Sequence, residues 1–95
     1  MKKRYVIVRT NSAGAFAGTI ESDDGTDVVL SAARRLWYWD GAASLSELAV
    51  KGTCRPDKCK FPAPVEKIHL FGVIEIIDVT KIAQACIEGV KVWSA

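Results

Sequence analysis

The stretch RYVIVRTNSAGAFAGTIESDDG, residues 4–25, sets two β-prone runs on either side of the turn cluster NSAG and closes on a second turn signal, DDG. Residues 4–10 are rich in β-branched and aromatic side chains, which suit a half-buried pleated surface. Asn, Ser and Gly accept the backbone conformations of tight turns, so residues 15–22 read as a second strand returning against the first. Asp-Asp-Gly then predicts another reversal. Successive reversals favour an antiparallel sheet over the parallel sheet of alternating strands and helices.

Outward from this stretch, TDVVLSAARRLWYWD (26–40) is a third extended run, with a break expected near residues 31–33. SLSELAVKG (44–52) predicts a short helix, because Ser44 can cap it, Glu47 stands three residues on, and Gly52 can end it. TCRPDKCKFPAP (53–64) holds all three prolines and is expected to be a loop. VEKIHLFGVIEIIDV (65–79) is β-branched and divided at Gly72, which suggests a bend between two strands. TKIAQACIEG (80–89) predicts a second helix capped by Thr80, with Ile82, Ala83, Cys86 and Ile87 on its buried face. VKVW (90–93) adds a final short strand. The expected fold is α+β: a small antiparallel β-sheet or half-barrel of about five to six strands with two short helices outside, one domain over residues 1–95.

At 95 residues, 49% hydrophobic and 25% charged, the chain has an ordinary globular composition. So short a chain has a limited core, which makes a homo-oligomer the expected state. The net charge of +2 is too mild for a duplex-DNA binder, and nucleic acid is not an expected partner. Single-stranded nucleic acid would need a longer basic groove than Lys51, Arg55, Lys58 and Lys60 provide beside Asp57 in one loop. The basic start MKKR is followed by too short an apolar run for a secretory signal, and no run reaches the ~20 apolar residues of a membrane span. A cytoplasmic location and no membrane partner are therefore expected. Cys54, Cys59 and Cys86 are then expected as thiols, and a lone histidine, His69, leaves too few close-spaced ligands for a structural zinc site.

Catalysis has little to draw on. The sequence has no nucleophile elbow, phosphate-binding loop or dinucleotide fingerprint, and His69 and Glu75 both fall within strand-like runs. No enzyme activity, cofactor or metal is implied.

ARRLWYWDGAASLSEL (33–48) gathers two arginines and three aromatic residues ahead of a helix start. If residues 34–39 are a strand, Arg34, Leu36 and Tyr38 share one face, and Arg35, Trp37 and Trp39 the other. Leu36 then goes to the core. A guanidinium can fork onto phosphate while an indole or phenol stacks on a base. Free amides at Ser44 would favour an anion. Phe16 offers a second wall, and Ser12 and Gly14 offer loop hydrogen bonds. The competing reading makes the same aromatic stripe a packing surface against a helix or another subunit, with arginine at its rim.

The pattern formed by VIVRT, SAG and FAGT, then ARRLWYWDGAASLSELA, CKFP and VIEII, resembles a family of small proteins encoded in phage and prophage genomes. The resemblance spans nearly the whole chain and implies a host cytoplasm during infection. In size and in its arginine–aromatic segment the chain is also similar to phage sponges that sequester cyclic nucleotide signals of bacterial immunity, of the anti-CBASS and anti-Thoeris type. This second likeness is an analogy. It implies a non-enzymatic homo-oligomer that binds a small, cyclic nucleotide. Its candidate ligand-binding residues are Arg34, Arg35, Trp37, Tyr38, Trp39, Ser44, Phe16, Ser12 and Gly14. The alternative is a phage accessory or virion-associated interaction protein.

Overall fold

The computed structural model describes residues 4–94, so Lys2 and Lys3 of the basic start lie outside the described residues. Strands β1 (Tyr5–Thr10), β2 (Ala15–Asp23) and β3 (Val28–Arg35) form the expected antiparallel meander. Helix α1 (Leu45–Lys51), a short 3-10 turn (Pro56–Lys58), β4 (Val65–Leu70), β5 (Val73–Asp78) and helix α2 (Lys81–Gly89) follow. The sheet order is β4-β3-β2-β1-β5, antiparallel at each pairing. The fold is α+β.

The two turns are built by their side chains. At the β1–β2 turn, the Ala13 N–H donates to Thr10 Oγ1 (2.8 Å) and the Thr10 hydroxyl donates to the Gly14 carbonyl (3.1 Å). At the β2–β3 turn, Asp23 accepts from the Gly25 N–H and Asp24 from the Asp27 N–H, each at 2.9 Å, the local pattern for which Asp is favoured in turns.

β4 and β5 are consecutive strands at opposite edges of the sheet, joined only by Phe71 and Gly72. Three Cα steps reach at most about 11 Å. A flat five-stranded sheet holds its edges about 19 Å apart. The sheet must therefore roll, bringing the edges together at that end. There the Val73 N–H donates to the Thr26 carbonyl (2.8 Å) and the Asn11 N–H to that of Gly72 (3.0 Å).

Alternation along the strands then fills two cores. Val6, Val8, Phe16, Val28, Leu30, Ala33, Leu70 and Val73 pack inside the roll. Tyr5, Ile7, Ala15 and Ala17 face outward and are covered by Leu48 and Ala49 of α1, Ile87 of α2, and Leu36, Cys59 and Phe61. The two helices meet where the Thr80 N–H and hydroxyl donate to the carbonyls of Ala49 (3.0 Å) and Val50 (2.8 Å).

The expected break in the third run is a β-bulge. The β2–β3 register shifts between Ala17 and Thr19, so Gly18 faces both Ala32 and Ala33. Ala32 takes a left-handed conformation (φ 48°). A Cβ on Gly18 would stand 3.0 Å from the Ser31 carbonyl oxygen, which accounts for the glycine. The extra residue reverses the parity of β3: Leu30 and Ala33 point inward, and Arg34 points outward beneath the helices.

The helix ends match their expected caps. Ser44 Oγ accepts from the Glu47 N–H (3.2 Å), and Thr80 Oγ1 accepts from the Ala83 N–H (3.1 Å). Gly52 ends α1 at φ 75°, its N–H donating to the Leu48 carbonyl. Two expectations are corrected. Ile82 is 76% exposed, because only Ala83 and Ile87 lie on the fully buried stripe of α2. Residues 90–93 form no strand, only a bridge between Val92 and Phe61 that carries a hydrogen bond from the Trp93 N–H to the Phe61 carbonyl (3.1 Å).

Candidate functional site

The face pattern expected for residues 34–39 holds for two residues and then fails, because β3 ends at Arg35. Arg34 and Leu36 are both buried on the helix side. Beyond them the chain leaves the sheet, and Trp37 and Tyr38 are both exposed. Trp39 turns back to pack against the outer core beside Ala42 and Leu45.

Arg34 is not available to a phosphate in the way expected. Its Nε–H donates to the Pro62 carbonyl (2.9 Å), and its terminal nitrogens donate to the carbonyls of Ile87 (2.9 Å) and Phe61 (3.1 Å). The guanidinium also lies over the Phe61 ring. It binds β3 to the 53–64 loop and to the end of α2, whose last carbonyls favour a cation. Burial holds its pKa below the ordinary arginine value, while the nearby Tyr5 acts in the opposite direction.

Arg35 is exposed, and its guanidinium sits 4.4 Å from the Phe16 ring centroid and donates to the Ala13 carbonyl (2.9 Å). It steadies the β1–β2 turn from behind. Phe16 is 1% exposed in the inner core, so it forms no ligand wall. Ser44 does not line the cleft described below; its Oγ accepts from the Glu47 N–H, and the Glu47 carboxylate accepts from the Ala43 N–H at 2.7 Å.

Four expected residues do come together. Ser12 and Gly14 of the β1–β2 turn, and Trp37 and Trp39 of the 36–44 segment, line one shallow cleft of about 400 Å³. Arg9, Asn11 and Leu45 are also among its lining residues. Arg9 faces Glu75 across the β1–β5 pairing, and its Nε–H donates to that carboxylate (3.1 Å). Its four terminal N–H donors remain for a ligand. Sequence reading missed Arg9, although it is the single exposed position in an otherwise buried β1.

Trp93 was also missed. Its indole stacks on Trp37 with centroids 6.4 Å apart and planes 7° from parallel. Lys60 lies 5.7 Å from the Trp93 ring and 5.8 Å from that of Tyr38. Backbone bonds between Tyr38 and Lys60, at 2.7 and 3.3 Å, hold this group together. Tyr38 and Trp37 thus share an exposed patch with Trp93, next to the cleft.

The three cysteines are free thiols. Among the described residues, no group of three or more His, Cys, Asp or Glu side chains is placed to hold a metal ion, and no helix is long and apolar enough to cross a membrane. His69 is exposed on β4.

Fold and cleft together describe a rolled-sheet α+β domain with a shallow arginine–tryptophan groove at one hairpin end. The chain belongs to the family described as domain of unknown function DUF6948, whose model matches residues 3–87. No curated protein and no solved structure matches it.

Proposed function

We propose that this protein binds and holds a small, cyclic nucleotide without turning it over. In this reading it acts as a homo-oligomer in the host cytoplasm and sequesters an immune signal against bacterial anti-phage defence. The carrying observation is the cleft, in which Arg9, Ser12, Trp37 and Trp39 converge from separate segments. Its volume of about 400 Å³ lies in the range of ordinary small-ligand sites. The terminal N–H groups of Arg9 would meet a phosphate, and Trp37, 63% exposed, would stack on a base. Asn11 and Ser12 supply polar contacts from the turn. The immune-signal part of the reading rests on the resemblance to phage sponges.

Isothermal titration against cyclic di- and trinucleotides and adenosine–ribose signals tests the proposal. Saturable heat that Arg9→Gln or Trp37→Ala removes supports it. No heat with any of these ligands up to the millimolar range overturns it.

A second reading, a subunit interface, is favoured by the exposed stack of Trp37 on Trp93. It predicts that Trp37→Ala changes the oligomeric state in size-exclusion chromatography. Nucleotide binding instead allows that substitution to leave assembly unchanged.

A further inference from the structure

A second cavity, of about 370 Å³, opens elsewhere on the molecule. Tyr5 and Arg34 line it, with Pro64, Val90 and Val92 as apolar wall and Glu88 also on its lining. Two of its polar groups keep hydrogen-bonding capacity to spare. Arg34 is 4% exposed and uses three of its five N–H donors on carbonyls. Among the described residues no carboxylate lies within ion-pair distance of it. Tyr5 is 8% exposed, and among the described residues its hydroxyl makes no hydrogen bond. A buried cation without a counter-charge is uncommon. Here it borders a cavity onto which the unbonded Tyr5 hydroxyl, whose oxygen is not itself enclosed, also opens.

We propose that this cavity is a binding site for a small monocarboxylate with an apolar body. The carboxylate meets the remaining Arg34 donors and the Tyr5 hydroxyl, and the body lies against Pro64, Val90 and Val92. The charge pattern sets the class. Arg34 supplies one buried positive charge, which one carboxylate balances. The exposed Glu88 carboxylate, held by a hydrogen bond from Gln84 (3.2 Å), opposes a more highly charged ligand such as phosphate. Burial, with Glu88 adding to it and Arg34 opposing, pushes the Tyr5 pKa up to about 12, so the phenol is a neutral donor at physiological pH. The site is separate from the arginine–tryptophan cleft and does not depend on the nucleotide reading.

The test is titration of the isotope-labelled full chain with benzoate, hexanoate, benzamide and inorganic phosphate, followed by NMR. Benzoate and hexanoate should move the Arg34 Nε–H signal and the amides of Ala32, Glu88 and Val90 saturably. Benzamide, which lacks the charge, and phosphate should bind at least about tenfold more weakly. Tyr5→Phe keeps the ring and removes the hydroxyl, and should weaken benzoate by roughly three- to tenfold. Glu88→Gln should strengthen phosphate relative to benzoate. Absence of saturable shifts with both carboxylates, shifts confined to Ser12 and Trp37, phosphate binding as tight as benzoate, or unchanged benzoate affinity in Tyr5→Phe would each overturn the proposal. Neither variant touches the three carbonyl bonds of Arg34 on which folding depends.

Discussion

The guanidinium of Arg34 donates at 2.9 Å to the carbonyl of Ile87, joining the third strand to the last turn of the second helix. The same group holds the carbonyls of Phe61 and Pro62, so one side chain organises three backbone segments. Arg34→Met leaves three acceptors without their donor and should destabilise the protein by about 3–5 kcal/mol. Arg34→Lys should recover only part of this, because an ammonium lacks the planar fork. Urea unfolding measures both. If Arg34 served chiefly to hold a phosphate, the substitutions would lower affinity and leave the unfolding midpoint in place.

Tyr5 makes stability sensitive to alkali. Its phenol has a pKa of about 12 in the folded chain against 10.0 in the reference state. Below pH 10 both states are neutral, and the contribution is fully present. As pH rises from 10 through 12, the unfolded state loses its proton first, and stability falls by an amount on the order of 2–3 kcal/mol. Urea midpoints measured from pH 9 upward should decline in the native chain. The decline should be shallower in Tyr5→Phe.

Gly52 has a reason to be glycine beyond ending a helix. A Cβ there would lie 2.8 Å from Cys86 Cβ and 2.9 Å from its sulfur, at a backbone φ of 75°. Gly52→Ala should cost roughly 2–3 kcal/mol from strain and overlap together. Adding Cys86→Ala should return part of the loss, and a double-mutant cycle in denaturant reads that coupling.

The aromatic residues should divide sharply by position. Phe16 is enclosed inside the roll, whereas Trp37 and Trp93 stack on the surface. Phe16→Ala should cost about 3–5 kcal/mol. Trp37→Ala or Trp93→Ala should cost about 1 kcal/mol or less, the scale of an exposed ring pair. Thermal unfolding separates the two groups.

Ala32 predicts a gain. Its left-handed φ of 48° carries about 1–2 kcal/mol of strain, against roughly 0.5–1 kcal/mol of extra chain entropy for glycine. Ala32→Gly should therefore stabilise the protein by about 0.5 kcal/mol, raising the melting temperature by a few degrees.

Local features of the fold were legible because local chemistry decides them. The NSAG and DDG turns, the caps at Ser44 and Thr80 and the stop at Gly52 all depend on residues within a few positions of one another. The roll of the sheet was not legible, since it follows from which edge β5 joins, a choice made far away at β1. The site divided in the same way. Ser12, Gly14, Trp37 and Trp39 meet as a cleft, but alternation assigned Arg34 and Arg35 to a strand that ends just where the aromatics begin. Trp93 reaches Trp37 only through the bridge between Phe61 and Val92, a contact with no local signature.

The placement of β5 also bears on how the chain acquires its structure. Arg4 bonds to Asp78 across 74 positions and Arg9 to Glu75 across 66, both along the β1–β5 seam. Such distant pairings slow folding, into the millisecond-to-second range for sheets dominated by them. While the chain is being synthesised, the meander of the first three strands can assemble early, but β1 stays an unpaired edge until residue 78 has emerged. Its apolar run YVIV is then open to pairing with another nascent copy. The interval before β5 docks is the period in which this small protein is most exposed to aggregation.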